Sequence, residues 1–410
     1  MSANTKPIGP FLGMNNRLPD HQLAVVERGR KAGDYLRNAI NVDLTQAGTL
    51  LRRKGVEREV PGADCHSLWG DEKGAFYVDG ETLYAYPRTA IRTGLALGLP
   101  ASFCRLPDGD VVWSNAVMIE RIRAGVSLPL ALPIPNPSPT VVAAGGGSLH
   151  AGVYQISITA IGLDGEESGA TWPVQVRVPD SGRIEVSGLP GTMVNIYLSP
   201  LNGDVLFLAA TTTASSYVFP LMPALGPQLQ SLGARPLPAG QIVRYFKSRV
   251  LVAMGASLFM SEPYRYGLHN PMRDYVVFPE EIAVVAPTEG GVWVVTRSKT
   301  YWLGGGNPSA ADLVEVLPYG AVPRSETTIE GSRDVAWFSI RGIVIGSVQG
   351  EARNVQEDTV AVGKAASGAT LYREQDGLRQ LVSSLFGTET TGAAANGFFE
   401  ADLVRKESML

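Results

Sequence analysis

The chain has 410 residues, 45% of them hydrophobic and 18% charged, with 46 glycines and 28 prolines. That balance excludes a disordered chain and favours an all-β, turn-rich chain over a helical one. Residues 1–58 hold ten Lys/Arg against five Asp/Glu, a net of +5, so the −4 of the whole leaves −9 for the other 352 residues.

A basic N-terminal region on an acidic body points to an acidic partner surface or to nucleic acid; the plain alternative is a solvated surface with local pairing. No apolar run reaches membrane-spanning length, and MSANTKPIGPFLGMNN lacks the charged start and apolar core of a signal peptide. Cytoplasmic synthesis without membrane insertion is therefore expected.

Residues 1–36 have scattered apolar residues (Phe11, Leu12, Met14, Leu18) and no strong period, which reads as an N-terminal arm. NAINVDLTQAGTLLRRKG, residues 38–55, then reads as two strands and a turn, ending in Arg52, Arg53 and Lys54. The same apolar strand, short turn, apolar strand returns from Ala75, Val111, Val250, Val292, Val335 and Thr370. This is the pattern of a β-hairpin. Counted from Ala39, the starts fall 36, 36, 139, 42, 43 and 35 residues apart. A strand-rich repeat near 40 residues is the spacing of propeller blades.

The long interval is explained by an insertion. Proline-rich joints, LPIPNPSPT (132–140) and SLGARPLPAG (231–240), bracket short alternating strands such as VYQISITAIG, WPVQVRV and MVNIYLS. Their spacing fits an immunoglobulin- or fibronectin-like sandwich, without the cysteine pair of antibody domains. The expected organisation is an arm at 1–36, propeller at 37–134, inserted sandwich at 135–236, propeller with a closing strand at 237–404, and a tail at 405–410. The blade number is six or seven. The strand Phe398–Val404 is expected to complete the first blade.

Catalytic constellations are not visible. The four histidines (His21, His66, His150, His269) have no metal-ligand spacing, and Cys65 and Cys104 read as buried free thiols. GGGS (145–148) and GGGN (304–307) lack the Lys-Ser/Thr of a phosphate loop and read as loops. Asp164, Glu166 and Glu167 in LDGEESG are misplaced for a calcium loop and suit a turn between strands. SRDVAWF (332–338) faintly resembles the Asp-box of sialidase-like propellers through Ser332, Asp334 and Trp337, but Ala336 stands where that box has glycine. No enzyme activity, cofactor or metal is expected.

YLRNAINVDLTQAGTLLRRKGV (35–56) resembles the opening of propeller proteins from tailed bacteriophages, where N-x-x-N-x-D is followed by Gly and R-R-K/P-G. The matching residues are Asn38, Asn41, Asp43, Gly48, Arg52, Arg53, Lys54 and Gly55. FFEADLVRKES (398–408) is similar to the acidic–apolar C-terminal strand of the same proteins, and the sandwich to the fibronectin-like inserts of phage tails. The resemblance is to the tail-nozzle proteins of short-tailed phages, also called tail tubular protein B or DNA-stabilisation propellers, several of which are larger than this 43.7 kDa chain.

The resemblance implies a virion structural protein assembled in the host cytoplasm into a homo-oligomeric, six-fold ring. Its partners would be the portal, adaptor and other tail proteins, with genomic DNA passing through the lumen without sequence-specific contact. The alternative reading is a carbohydrate-binding or carbohydrate-active propeller with an accessory sandwich.

Within the hairpin, Thr49, Leu51 and Arg53 alternate with Leu50, Arg52 and Lys54. Both faces cannot be core, so the strand end is expected to project. There the cations can meet Asp43, a neighbouring subunit or DNA phosphate, and the subunit contact is favoured because a tube that releases DNA gains nothing from gripping it tightly.

Overall fold

The computed structural model describes residues 9–401 apart from 28–29, 40–41, 46, 53–54, 56, 163, 360–364, 376–377 and 388–398. The chain is all-β: among the described residues the only helical segments are two three-residue 3-10 turns, Asp20–Gln22 and Pro308–Ala310. No helix there is long and apolar enough to cross a membrane. Contacts divide the chain into two units, Met1–Ala63 with Gly255–Ser257 and Val277–Leu410, and Asp64–Met254 with Leu258–Val276.

The second unit holds three of the repeated hairpins, each as the central pair of a four-stranded sheet. Sheet 1 is Cys65–Asp71, Gly74–Asp79, Thr82–Ala85 and Thr89–Arg92. Sheet 2 is Ser102–Arg105, Val111–Ser114, Ile119–Arg123 and Val126–Pro129. Sheet 3 is Ile242–Phe246, Arg249–Met254, Ser257–Met260 and Tyr275–Val277, of which Ser257 and Val277 count with the first unit.

Alternation along each strand sends successive residues to opposite faces. Sheet 2 uses both. Phe103, Val111, Trp113 and Ile122 pack with Val78 and Leu83 of sheet 1, while Cys104 and Val112 pack with Val243, Val250 and Val252 of sheet 3. Sheets 2 and 3 are thus neighbours in space across more than a hundred intervening residues.

Most of those residues form a separate two-sheet segment. One sheet orders Thr140–Leu149, Gly182–Ser187 and Ser216–Phe219; the other orders Val174–Val178, Gly152–Ala160, Val194–Leu198 and Phe207–Thr212. Ile184, Val186 and Phe219 of the first meet Ile156, Ile158, Val176 and Ile196 of the second in one core. Each such buried aliphatic or phenyl side chain contributes roughly 1.5–3 kcal/mol.

The glycine run at 145–148, expected as a loop, lies inside the strand Thr140–Leu149, where the pairing with Gly182 shifts register. Glycine tolerates that irregularity without a side chain to place.

The first unit repeats the stacking. Sheet 4 is Ile282–Pro287, Gly291–Thr296, Thr300–Gly304 and Leu313–Leu317; sheet 5 is Thr327–Thr328, Val335–Ser339, Gly342–Gly346 and Ala352–Asn354. Val335, Trp337 and Val344 face Trp293 and Trp302 of sheet 4. Ala336, Phe338, Ile343 and Ile345 face Tyr372, Leu381 and Leu385 of sheet 6, which begins Ser367–Gln375 and Leu378–Phe386. The indole centroids of Trp293 lie 4.8 Å from Trp302 and 5.5 Å from Trp337. Gly346 makes this possible, since a Cβ there would sit 2.7 Å from both Trp293 Nε1 and Trp337 Cζ3.

Two expectations about the ends are corrected. The region read as an arm contains a three-stranded sheet in the order Phe11–Met14, Arg30–Leu36, Ala24–Glu27, the first pair parallel. Its outer two strands have only four residues each and are at best half-buried, so no clear period marks them in the sequence.

The C-terminal strand, Phe399–Ala401 among the described residues, pairs with Leu378–Phe386 of sheet 6 rather than with the opening hairpin. A short return to the adjacent strand closes a small loop, which costs less chain entropy than a long-range closure. Residues 402–404 and the tail at 405–410 lie outside the described residues.

Candidate functional site

The basic hairpin belongs to the first unit. Val42–Leu44 pairs antiparallel with Leu50–Arg52 as a sheet of two strands. Thr45 and Thr49 close the turn, with their hydroxyls 2.6 Å apart, the Thr49 N–H donating to Thr45 Oγ1 at 3.0 Å, and the Thr45 N–H donating to the Thr49 carbonyl at 2.9 Å.

Gly48, the glycine of the motif, has φ +75°, and a Cβ on it would lie 2.8 Å from Pro10 Cβ and from the Phe11 carbonyl oxygen. Its own carbonyl accepts from the Phe11 N–H at 2.7 Å, so the turn is docked on the first N-terminal strand. Asp43 holds the other side, 3.7 Å from Arg373 Nη2 of sheet 6.

Beyond these anchors the hairpin opens to solvent: Leu51 is 57% exposed and Arg52 is exposed. Asp43, a possible partner of the cations in the sequence reading, is met by Arg373. Arg53, Lys54 and Asn41 lie outside the described residues.

A second cluster was missed by sequence reasoning and lies wholly in the second unit. The strand Ile119–Arg123 brings up Arg121 and Arg123, and the turn at 164–167 of the two-sheet segment brings up acids. Arg121 grips Glu166 with two N–H groups, Nη1 on Oε1 and Nη2 on Oε2, the second at 3.0 Å. Arg123 donates to Asp110 Oδ2 at 2.7 Å and, with Nη1, to Asp164. Asp110 in turn lies 3.5 Å from Arg121 Nε.

The Arg121 side chain is only 6% exposed, so its charge needs these carboxylates more than a surface cation would. Glu167 turns inward and accepts from Thr159 Oγ1, Asn195 Nδ2 at 3.2 Å and Tyr197 Oη at 2.6 Å. Burial first and the Glu167 bond second push the Tyr197 phenol up, keeping it the donor. The three acids are therefore occupied by arginines and by polar groups, an arrangement that joins segments of chain. The visible clue was a strand with three charged residues, IERIR, where neighbouring repeats are apolar.

The remaining candidates are structural. In SRDVAWF the Ser332 hydroxyl accepts from the Asp334 N–H at 3.1 Å and Trp337 is fully buried in the tryptophan core. Cys104 is buried, which pushes its thiol up to about 12. Cys65, expected to be buried, is exposed, because it starts the edge strand of sheet 1. Among the described residues no group of three or more His, Cys, Asp or Glu could hold a metal ion.

No family model matches the chain, and no curated protein does. Among solved structures it is similar to the extracellular domain of BT4673 from B. thetaiotaomicron, at 12% identity and TM-score 0.34, covering 88% of this chain and 46% of that one. It is similar to BBS1N, solved in complex with ARL6DN, at 8% identity and TM-score 0.30, covering 83% and 95%. The WD40 β-propeller domain of Doa1 matches at 12% identity and TM-score 0.30, covering 78% and 89%. This chain thus spans under half of the BT4673 domain. Scores and identities this low identify no function.

Proposed function

We propose that the chain is a β-propeller subunit with a sandwich inserted at 135–236, and that it serves as a structural protein of a short-tailed phage tail. Copies form a nozzle or adaptor ring through which genomic DNA is retained and ejected. The observation that carries this reading is the opening hairpin, which bears the phage-like motif. It is fastened at its turn through Gly48 and along one strand through Asp43, yet it turns Leu51 and Arg52 to solvent.

An exposed leucine beside an arginine on an anchored element suits a contact with another chain: the apolar residue supplies affinity and the charge sets register and association rate. The acidic remainder of the chain offers the complementary surface for a head-to-tail contact that closes into a ring. The stacked sheets, with sheets 2 and 5 each covered on two faces, support the propeller part of the reading.

Mass measurement in solution and electron micrographs of the purified protein test it, with the triple variant Arg52→Glu, Arg53→Glu, Lys54→Glu beside the parent. Closed rings are expected from the parent. The variant should keep its circular dichroism but fail to assemble, most clearly in low salt, where screening is weakest. A parent that stays monomeric at high concentration while hydrolysing glycans would replace the proposal with a carbohydrate-active propeller. A variant that assembles normally and alters only DNA retention would place the cluster on the channel.

A further inference from the structure

The second unit contains a cleft of roughly 280 Å³ between Arg121, the 130–132 connection, the turn at 165–167 and residues 264–268. Tyr264 stands in its wall with 79% of its surface exposed. Its backbone is left-handed, φ 60°, a conformation that tyrosine rarely adopts. Three bonds hold it there: the Tyr264 N–H donates to the Ser248 carbonyl at 2.8 Å, Arg265 N–H to Glu262 at 3.2 Å, and Glu262 N–H to Leu268 at 2.7 Å. An outlier fixed in this way and spent on presenting a ring to solvent calls for a functional reason.

We propose that this cleft binds a neutral sugar ring, with Tyr264 as the platform for its C–H face and Glu166 as the acceptor for its hydroxyls. Glu166 is suited to that task because Arg121 holds both of its oxygens, leaving each a further lone pair, and its side chain remains 42% exposed.

Charge selects a neutral ligand. Arg121 is paired with Glu166, Arg265 lies 3.6 Å from Glu262, which Arg273 also reaches at 3.3 Å, and Glu167 is turned inward, so each charged side chain lining the cleft already has a partner. The Tyr266 phenol, which also lines the cleft, is pushed up to about 12 by burial first and Tyr245 second, and so adds no charge. At roughly 280 Å³ the cleft sits at the lower end of small-molecule sites, which run to about 300–1,000 Å³, and has room for a sugar ring.

The test is saturation-transfer NMR of the full chain with glucose, galactose, mannose, N-acetylglucosamine and their disaccharides. At least one should show transfer, strongest at ring C–H protons. Tyr264→Gly removes the platform while suiting the left-handed backbone, and should weaken binding about tenfold or more with an unchanged melting temperature. Tyr264→Phe should retain binding. Absence of transfer from every sugar at about 20 mM, or equal affinity in Tyr264→Gly, would overturn the proposal, and neither result bears on ring assembly.

Discussion

Two seams of this molecule are built on opposite principles. Between sheets 4 and 5 the contact is apolar, three tryptophans with Val284, Val295, Val335 and Val344 around them. Between sheet 2 and the turn at 164–167 the contact is ionic, Arg121 and Arg123 against Asp164 and Glu166. A sheet of the repeated kind has two apolar faces and must be covered on both. The two-sheet segment has already joined its inner faces around Ile156, Ile184, Ile196 and Phe219, and the turn it sets against sheet 2 is acidic. Apolar seams hold by area, and ionic ones by the cost of leaving a buried charge alone.

The contrast can be broken by substitution, most severely at the apolar seam. Trp337→Ala opens a void beside Trp293 and should cost about 3–5 kcal/mol in urea unfolding. Gly48→Ala tests the anchorage of the hairpin. The positive φ and the 2.8 Å approach to Pro10 leave no room for a methyl group, and a loss of about 1–3 kcal/mol is expected, with faster amide exchange at Phe11.

Glu166→Ala at the ionic seam should cost less, about 1–2 kcal/mol, because Asp110 and Asp164 still face Arg121 and the lost carboxylate is partly solvated. The cost should be larger in low salt than in high salt. Equal losses for Trp337→Ala and Glu166→Ala would remove the distinction between the seams.

A gentler probe is pH. His269 is buried against Phe259, with Nδ1 3.1 Å from the Arg235 carbonyl, and burial is the leading cause that lowers its pKa from 6.5. The folded state therefore binds this proton less readily than the unfolded chain. Its contribution is complete above pH 6.5 and is lost as pH falls from there through the lower folded value. Denaturant midpoints between neutral and mildly acid pH should show this fall, and His269→Gln should flatten it. The smallest effect on stability is expected from Arg52→Glu, within about 0.5 kcal/mol, since the side chain is exposed.

Much of the local structure was legible beforehand. The six hairpins after the first lie where apolar runs flank short turns, and in VAWFS successive residues enter two different cores. The candidate site was legible only as a motif. That Gly48 is the docking point of the hairpin depends on Pro10 and Phe11, which no local pattern connects to it. Arg121 and Glu166 are 45 positions apart, and each looked like an ordinary surface charge.

By itself the sequence determined strand periodicity, turn placement and the all-β class, because side-chain alternation and turn chemistry act over a few residues. Tertiary structure alone decided which neighbours those strands found. It placed Phe399–Ala401 beside sheet 6 instead of the opening hairpin, built a sheet from the supposed arm, and left Cys65 exposed at a sheet edge while burying Cys104. It also set Asp164 and Glu166 on two arginines of another sheet. Those outcomes rest on long-range pairing and on which faces remain uncovered after the local elements form, and a single strand's composition does not encode them.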